Sequence, residues 1–103
     1  MGKSETFKGK ITNVAFYSSD SAWGAIDIQS VEDIPHSTRV YDYDIDTNKT
    51  TELFSIRVVG KMPEPYVGGI VEVMGVHSFN PKYKKDQYLV EKIDYPQPSN
   101  PKE

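Results

Sequence analysis

The sequence predicts an all-β protein, a small Greek-key barrel of five to six strands with a projecting hairpin and no substantial helix. Three observations carry this. Short apolar–polar alternating segments recur along the 103 residues. Seven glycines and seven prolines punctuate them. Long runs of Ala, Leu, Glu and Lys, which would build a helical bundle, are missing. At this length one domain is expected, and a barrel hides the strand edges that an open sheet would expose.

Residues 1–6 read as a flexible start. Residues 7–17 form a first strand, in which Phe7, Gly9 and Ile11 alternate with Lys8, Lys10 and Thr12. Val14 and Phe16 then fall on the opposite parity from Ile11, which predicts a bulge near Asn13. Residues 18–22 are a polar turn. Residues 23–29 form a second strand, with Gly24, Ile26 and Ile28 on one parity. A loop over residues 30–37 contains Asp33, Pro35 and His36. Residues 39–45 alternate again, and Asp46-Thr47-Asn48-Lys49 is a turn signal. Phe54, Ile56 and Val58 share a face on the return, so residues 39–59 read as a hairpin.

Residues 60–69 hold Pro63, Pro65 and Gly68-Gly69, too short and too proline-rich for a helix. Residues 70–77 and 87–95 supply the last two strands. Pro96, Pro98 and Pro101 then mark residues 96–103 as a tail or linker, leaving residues 7–95 as the barrel.

Charge is unevenly spread. Residues 1–19 carry three lysines and one glutamate, whereas residues 20–55 carry eight acids against Arg39 and Lys49. The overall charge of −3 disfavours nonspecific nucleic-acid binding by the whole surface and leaves room for one local basic site. The absence of cysteine excludes a disulfide framework and a thiolate metal site. No apolar run reaches membrane-spanning length, so a cytoplasmic domain without membrane contact is expected.

No phosphate-binding loop, nucleophile elbow or His-Glu-x-x-His motif occurs, so neither catalysis nor a cofactor is expected. His36 and His77 lie far apart in the chain. A metal site combining them with Asp33 or Asp42 competes with the simpler reading, two unrelated histidines at a loop and a strand end, and no metal is expected. Asp42, Asp44 and Asp46 share one strand face, read as a solvated face that discourages edge pairing.

The stretch over residues 75–93 combines strand signals, aromatic rings and clustered positive charge. Lys82, Lys84 and Lys85 could hold phosphate, and Phe79 and Tyr83 could stack on unpaired bases. Tyr88 is read as either a ring in this cluster or a core residue. Tyr17 and Trp23 flank the first turn, are expected to be exposed and join the site as further rings for stacking on bases, whereas Phe16 is expected to close the barrel.

These segments resemble a known family. Gly9-Lys10-Ile11 through Phe16-Tyr17, followed by Trp23-Gly24-Ala25-Ile26, is similar to the opening of the N-terminal OB-fold domain of bacterial RecD-like ATP-dependent DNA helicases. Phe54-Ser55-Ile56-Arg57-Val58-Val59-Gly60 with Pro63, and the strand over residues 69–75, resemble later segments of that domain. Asn80-Pro81-Lys82-Tyr83 with Gln87-Tyr88-x-Val90 resembles its His-Pro-Lys-Tyr-Gly-x-Gln-Phe-x-Val segment. The chain departs by having Asn80 for the histidine and Lys84 for the glycine, and residues 30–52 resemble an insertion.

The resemblance implies an OB-like barrel in a DNA-metabolism protein. It would contact single-stranded DNA or pack on a helicase motor domain in cis, the motor itself lying outside this chain. The rival expectation is a docking domain that presents the acidic hairpin around Tyr41, Tyr43 and Ile45 to another protein. A weaker third is a carbohydrate-binding barrel that uses the same aromatics.

Overall fold

Alternating side chains sort into six strands in the computed structural model, which describes residues 3–95. These are β1 (Ser4–Ser18), β2 (Trp23–Ser30), β3 (Thr38–Asp44), β4 (Lys49–Lys61), β5 (Ile70–Asn80) and β6 (Lys85–Asp94). No helix occurs among the described residues, so none is present there to cross a membrane. The tail expected over residues 96–103 lies outside them.

Five strands close a ring. β1 pairs antiparallel with β5 through its first half and with β2 through its second. β2 pairs antiparallel with β4, β4 runs parallel to β6, and β6 returns antiparallel to β5. β3 lies outside the ring and pairs with the first half of β4, from Thr38↔Ser55 to Asp44↔Lys49. The expected projecting hairpin is this extension, which overlaps the expected insertion over residues 30–52 and runs past its end to Ser55.

β1 starts earlier than expected. Ser4, Glu5 and Thr6 pair with Val76, Gly75 and Met74, so a flexible start through residue 6 is corrected. The reason is that β5 would otherwise leave an unpaired backbone edge there. Polar side chains hid the strand, yet they are anchored: Ser4 Oγ donates to Glu91, and Glu5 meets Tyr88. The expected slip near Asn13 is present, and a second follows it. The β1–β2 register shifts between Ile11 and Asn13 and again between Val14 and Phe16.

Inward parity builds the core. Ile11, Ile26, Ile28, Ile56, Val58, Val71, Val73 and Tyr88 are buried from the ring strands, and Ile34 and Met62 join them from loops. Burying each aliphatic side chain contributes about 1.5–3 kcal/mol. Gly75 lets β5 and β6 approach at a register shift, since a Cβ there would lie 2.6 Å from the Leu89 carbonyl oxygen.

The three tight hairpins share one connector. The ladders end at Ser18↔Trp23, Asp44↔Lys49 and Asn80↔Lys85, leaving four-residue loops. In each, the fourth residue is left-handed: Ala22 at φ +53°, Asn48 at +57° and Lys84 at +54°. Asp44 Oδ1 accepts from the Asp46 N–H at 2.9 Å, and Asn80 Oδ1 accepts from the Lys82 N–H at 3.0 Å. These bonds fold the loops back on themselves.

Two substitutions test this account by urea denaturation. Gly75→Ala is expected to cost about 1–3 kcal/mol through the clash with Leu89. Ala22→Gly is expected to stabilise by about 0.5–1 kcal/mol, the relief of left-handed strain outweighing the entropy glycine adds to the unfolded chain.

Candidate functional site

The outward parity of three neighbouring ring strands forms the floor of a groove. Trp23, Ala25 and Asp27 of β2, Arg57 and Val59 of β4, and Gln87 and Leu89 of β6 all line it. One end of the β5–β6 turn adds Tyr83, Lys84 and Lys85, and β1 adds Phe16. The cavity measures about 1080 Å³. A smaller cleft of about 780 Å³, lined by Lys8, Lys10, Gln29, Asp42 and Leu53 among others, holds none of the residues expected to touch nucleic acid.

Four of the seven sequence-derived site residues therefore share one concavity: Trp23, Tyr83, Lys84 and Lys85. The other three lie off it. Phe79 is exposed on the β5 arm of the hairpin, and Lys82 places its ammonium 5.4 Å from the centre of the Tyr83 ring. Tyr17 is half-buried against the core, and its hydroxyl donates to the Met62 carbonyl oxygen at 3.2 Å.

Phe16 and Tyr17 exchange the environments expected of them. Phe16 is 52% exposed and meets Trp23 edge-on, with centroids 6.4 Å apart, while Tyr17 packs inward. The shift between Val14 and Phe16 accounts for this, because one extra residue reverses the facing of everything beyond it. Arg57, Asp27, Gln87 and Leu89 were not singled out from the sequence. Their signal was available in the alternation within each strand, where they flank the buried Ile26, Ile28, Ile56, Val58 and Tyr88.

The floor carries an ion pair between cross-strand neighbours. Arg57 Nε and Nη2 donate to Asp27 Oδ1 and Oδ2 at 2.7 and 3.2 Å, and Asn13 Nδ2 donates to Asp27 Oδ2 at 3.1 Å. Burial alone would raise the Asp27 carboxyl, but the bonds from Arg57 and Asn13, with the Arg57 charge, hold it below its ordinary value of 3.8. Lys84 and Lys85 form no ion pair among the described residues, although the Lys85 charge also helps hold the Asp27 carboxyl down.

At the same hairpin the two histidines meet, contrary to their expected independence. The His36 ring stacks on His77, with centroids 3.6 Å apart and planes 13° apart. His77 Nε2 lies 2.7 Å from Asp86 Oδ1. Topology brings them together: the loop before β3 folds over β5, and His77 and Asp86 sit diagonally across the β5–β6 ladder. Neither Asp33 nor Asp42 belongs to this cluster.

Buried Tyr88 lies beneath the histidines. Its hydroxyl is 2.9 Å from Glu5 Oε1 and 3.1 Å from the Pro35 carbonyl oxygen. Burial, followed by the bond to Glu5, pushes its ionisation well above the ordinary tyrosine range, so the phenol stays neutral.

Comparison of the chain with known protein families and with curated protein sequences finds no match.

The Asp27 carboxyl has a depressed folded value, so its ion pair contributes stability above pH 3.8 and loses it as pH falls through the folded value. Asp27→Asn should therefore destabilise the protein at pH 7, and the difference should shrink as pH falls below 3.8, as measured by urea unfolding across that range.

Proposed function

We propose that this chain is a noncatalytic OB-type module of a DNA-metabolism protein, acting in the cytoplasm and holding single-stranded DNA in the groove. The observation that carries the reading is that Phe16, Trp23 and Tyr83 share one concavity with Lys84 and Lys85. Exposed rings offer stacking surfaces for unpaired bases, each worth about 1–3 kcal/mol, while the lysines meet phosphates. Arg57 is committed to Asp27, so it positions the floor rather than supplying free charge.

Topology supports the same reading. The ring runs β1-β2-β4-β6-β5, with its one parallel pairing between β4 and β6. OB barrels bind oligonucleotides on the face of their second and third strands, between the first and last hairpin loops. Here those are β2 and β4, with the β1–β2 and β5–β6 turns. The resemblance to RecD-like helicase domains gains support at Lys84, which is left-handed where that family has glycine.

Fluorescence anisotropy of a labelled oligothymidylate, titrated at several salt concentrations, tests this. Binding at low salt is expected. Replacing Lys84 and Lys85 with alanine should flatten the slope of log K against log salt by about 1.4, or about 0.7 per lost phosphate contact. No binding by the wild-type chain at low salt would sink the reading.

A second reading, docking through the β3–β4 hairpin, draws on the exposure of Tyr41, Tyr43 and Ile45 beyond the ring. Their acidic neighbours Asp42, Asp44 and Asp46 suit a basic partner, such as a helicase motor domain in cis. Joint replacement of the three apolar residues by alanine should then abolish capture of such a partner while oligonucleotide affinity stays unchanged. Retained capture rejects this surface.

A further inference from the structure

We propose that His36, His77 and Asp86 form a three-ligand site for a borderline divalent transition cation of the zinc type, at the edge of the groove. One ligating atom from each side chain lies within 4.8 Å of the other two. A tetrahedral ion with nitrogen and oxygen ligands at about 2.0–2.2 Å holds its donors roughly 3.4 Å apart, so closing the site requires the two imidazoles to leave their stack and turn their in-plane lone pairs toward one point. Two imidazoles and one carboxylate suit such an ion, whereas magnesium and calcium favour oxygen donors throughout.

The backbone gives an independent reason to ask why histidine stands at position 36. The Ser37 N–H donates to the Ile34 carbonyl oxygen at 3.1 Å, closing a turn with Pro35 second and His36 third, at φ +64°. The turn closed by the Gly69 N–H on the Tyr66 carbonyl oxygen, also at 3.1 Å, has Gly68 in the same place, at φ +98°. A positive φ in this position calls for glycine or asparagine. The chain supplies glycine in one turn and keeps a strained imidazole in the other. Strain retained in this way points toward function.

The frame around the three side chains is also fixed. The Tyr88 hydroxyl holds the Pro35 carbonyl oxygen, and the rings of His36 and His77 lie 6.4 and 6.0 Å from the Tyr88 ring. The β5–β6 ladder sets His77 and Asp86 diagonally across from one another. A bound cation takes the place of the direct contact between His77 Nε2 and Asp86 Oδ1. Three protein ligands leave a fourth position for water or an anionic oxygen. His36 and Asp86 both line the groove, so that position is open to a groove ligand.

The test uses the untagged full chain, stripped with chelator, and is read without nucleic acid. Zinc chloride is titrated by calorimetry, and cobalt chloride is followed by its visible absorption bands. One equivalent should bind, with an intense four-coordinate cobalt spectrum and a Tm rise of at least about 5 °C at a hundredfold excess over Kd. Magnesium should neither bind comparably nor compete.

His36→Gly should abolish binding while the metal-free variant melts at or above the wild-type temperature. His77→Gln gives a second loss-of-ligand variant that keeps a polar group near Asp86. Absence of stoichiometric zinc binding by the wild-type chain overturns the proposal. So does undiminished binding by either variant.

Discussion

The buried hydroxyl of Tyr88 is the constraint on which much of the structure depends. A phenol in an apolar core must find a hydrogen-bond acceptor, and an unmet one costs about 1–3 kcal/mol. The acceptors here come from distant parts of the chain: Glu5 at the start of β1 and Pro35 in the loop before β3. The ring packs on Phe7 at 4.7 Å, and the same residue sits in the parallel β4–β6 pairing opposite Val58. One side chain thus ties the first strand, the long loop and the closing strand together. It also explains why the Pro35-His36 turn is seated where it is.

Much of this was legible from residue order. Alternation gave the six strands, Asp46-Thr47-Asn48-Lys49 marked the β3–β4 turn, and the parity change after Ile11 marked a bulge. What escaped was set by geometry that alternation does not encode. A second bulge reverses Phe16 and Tyr17, and no side chain at Val14 or Ala15 announces it. Residues 4–6 look unstructured because their side chains are polar, although their backbone completes a ladder. The stacking of His36 on His77 depends on a loop crossing a strand remote in sequence, which a local pattern cannot reveal.

The groove shows a division of labour among charges. Its floor is crossed by a bidentate pair on adjacent strands, where Asp27 and Arg57 satisfy one another and make the central surface nearly neutral. The groove's lysines, neither of which forms an ion pair among the described residues, stand at its edge, at the β5–β6 turn. The chain's acidic balance and a local site for anions therefore coexist, because the charges are separated in space rather than averaged along the sequence. The acidic hairpin beyond the ring takes up much of the negative remainder.

The repeated four-residue connector has a consequence for variation. In all three hairpins, register depends on loop length and on the sign of a single backbone angle, which Ala22, Asn48 and Lys84 adopt alike. The side chain at that position is therefore not what aligns the strands. Tip chemistry and barrel alignment become separable traits: a small residue, an amide and a cation occupy equivalent places on one template. A barrel wired in this way can acquire a new surface at its rim without renegotiating its interior.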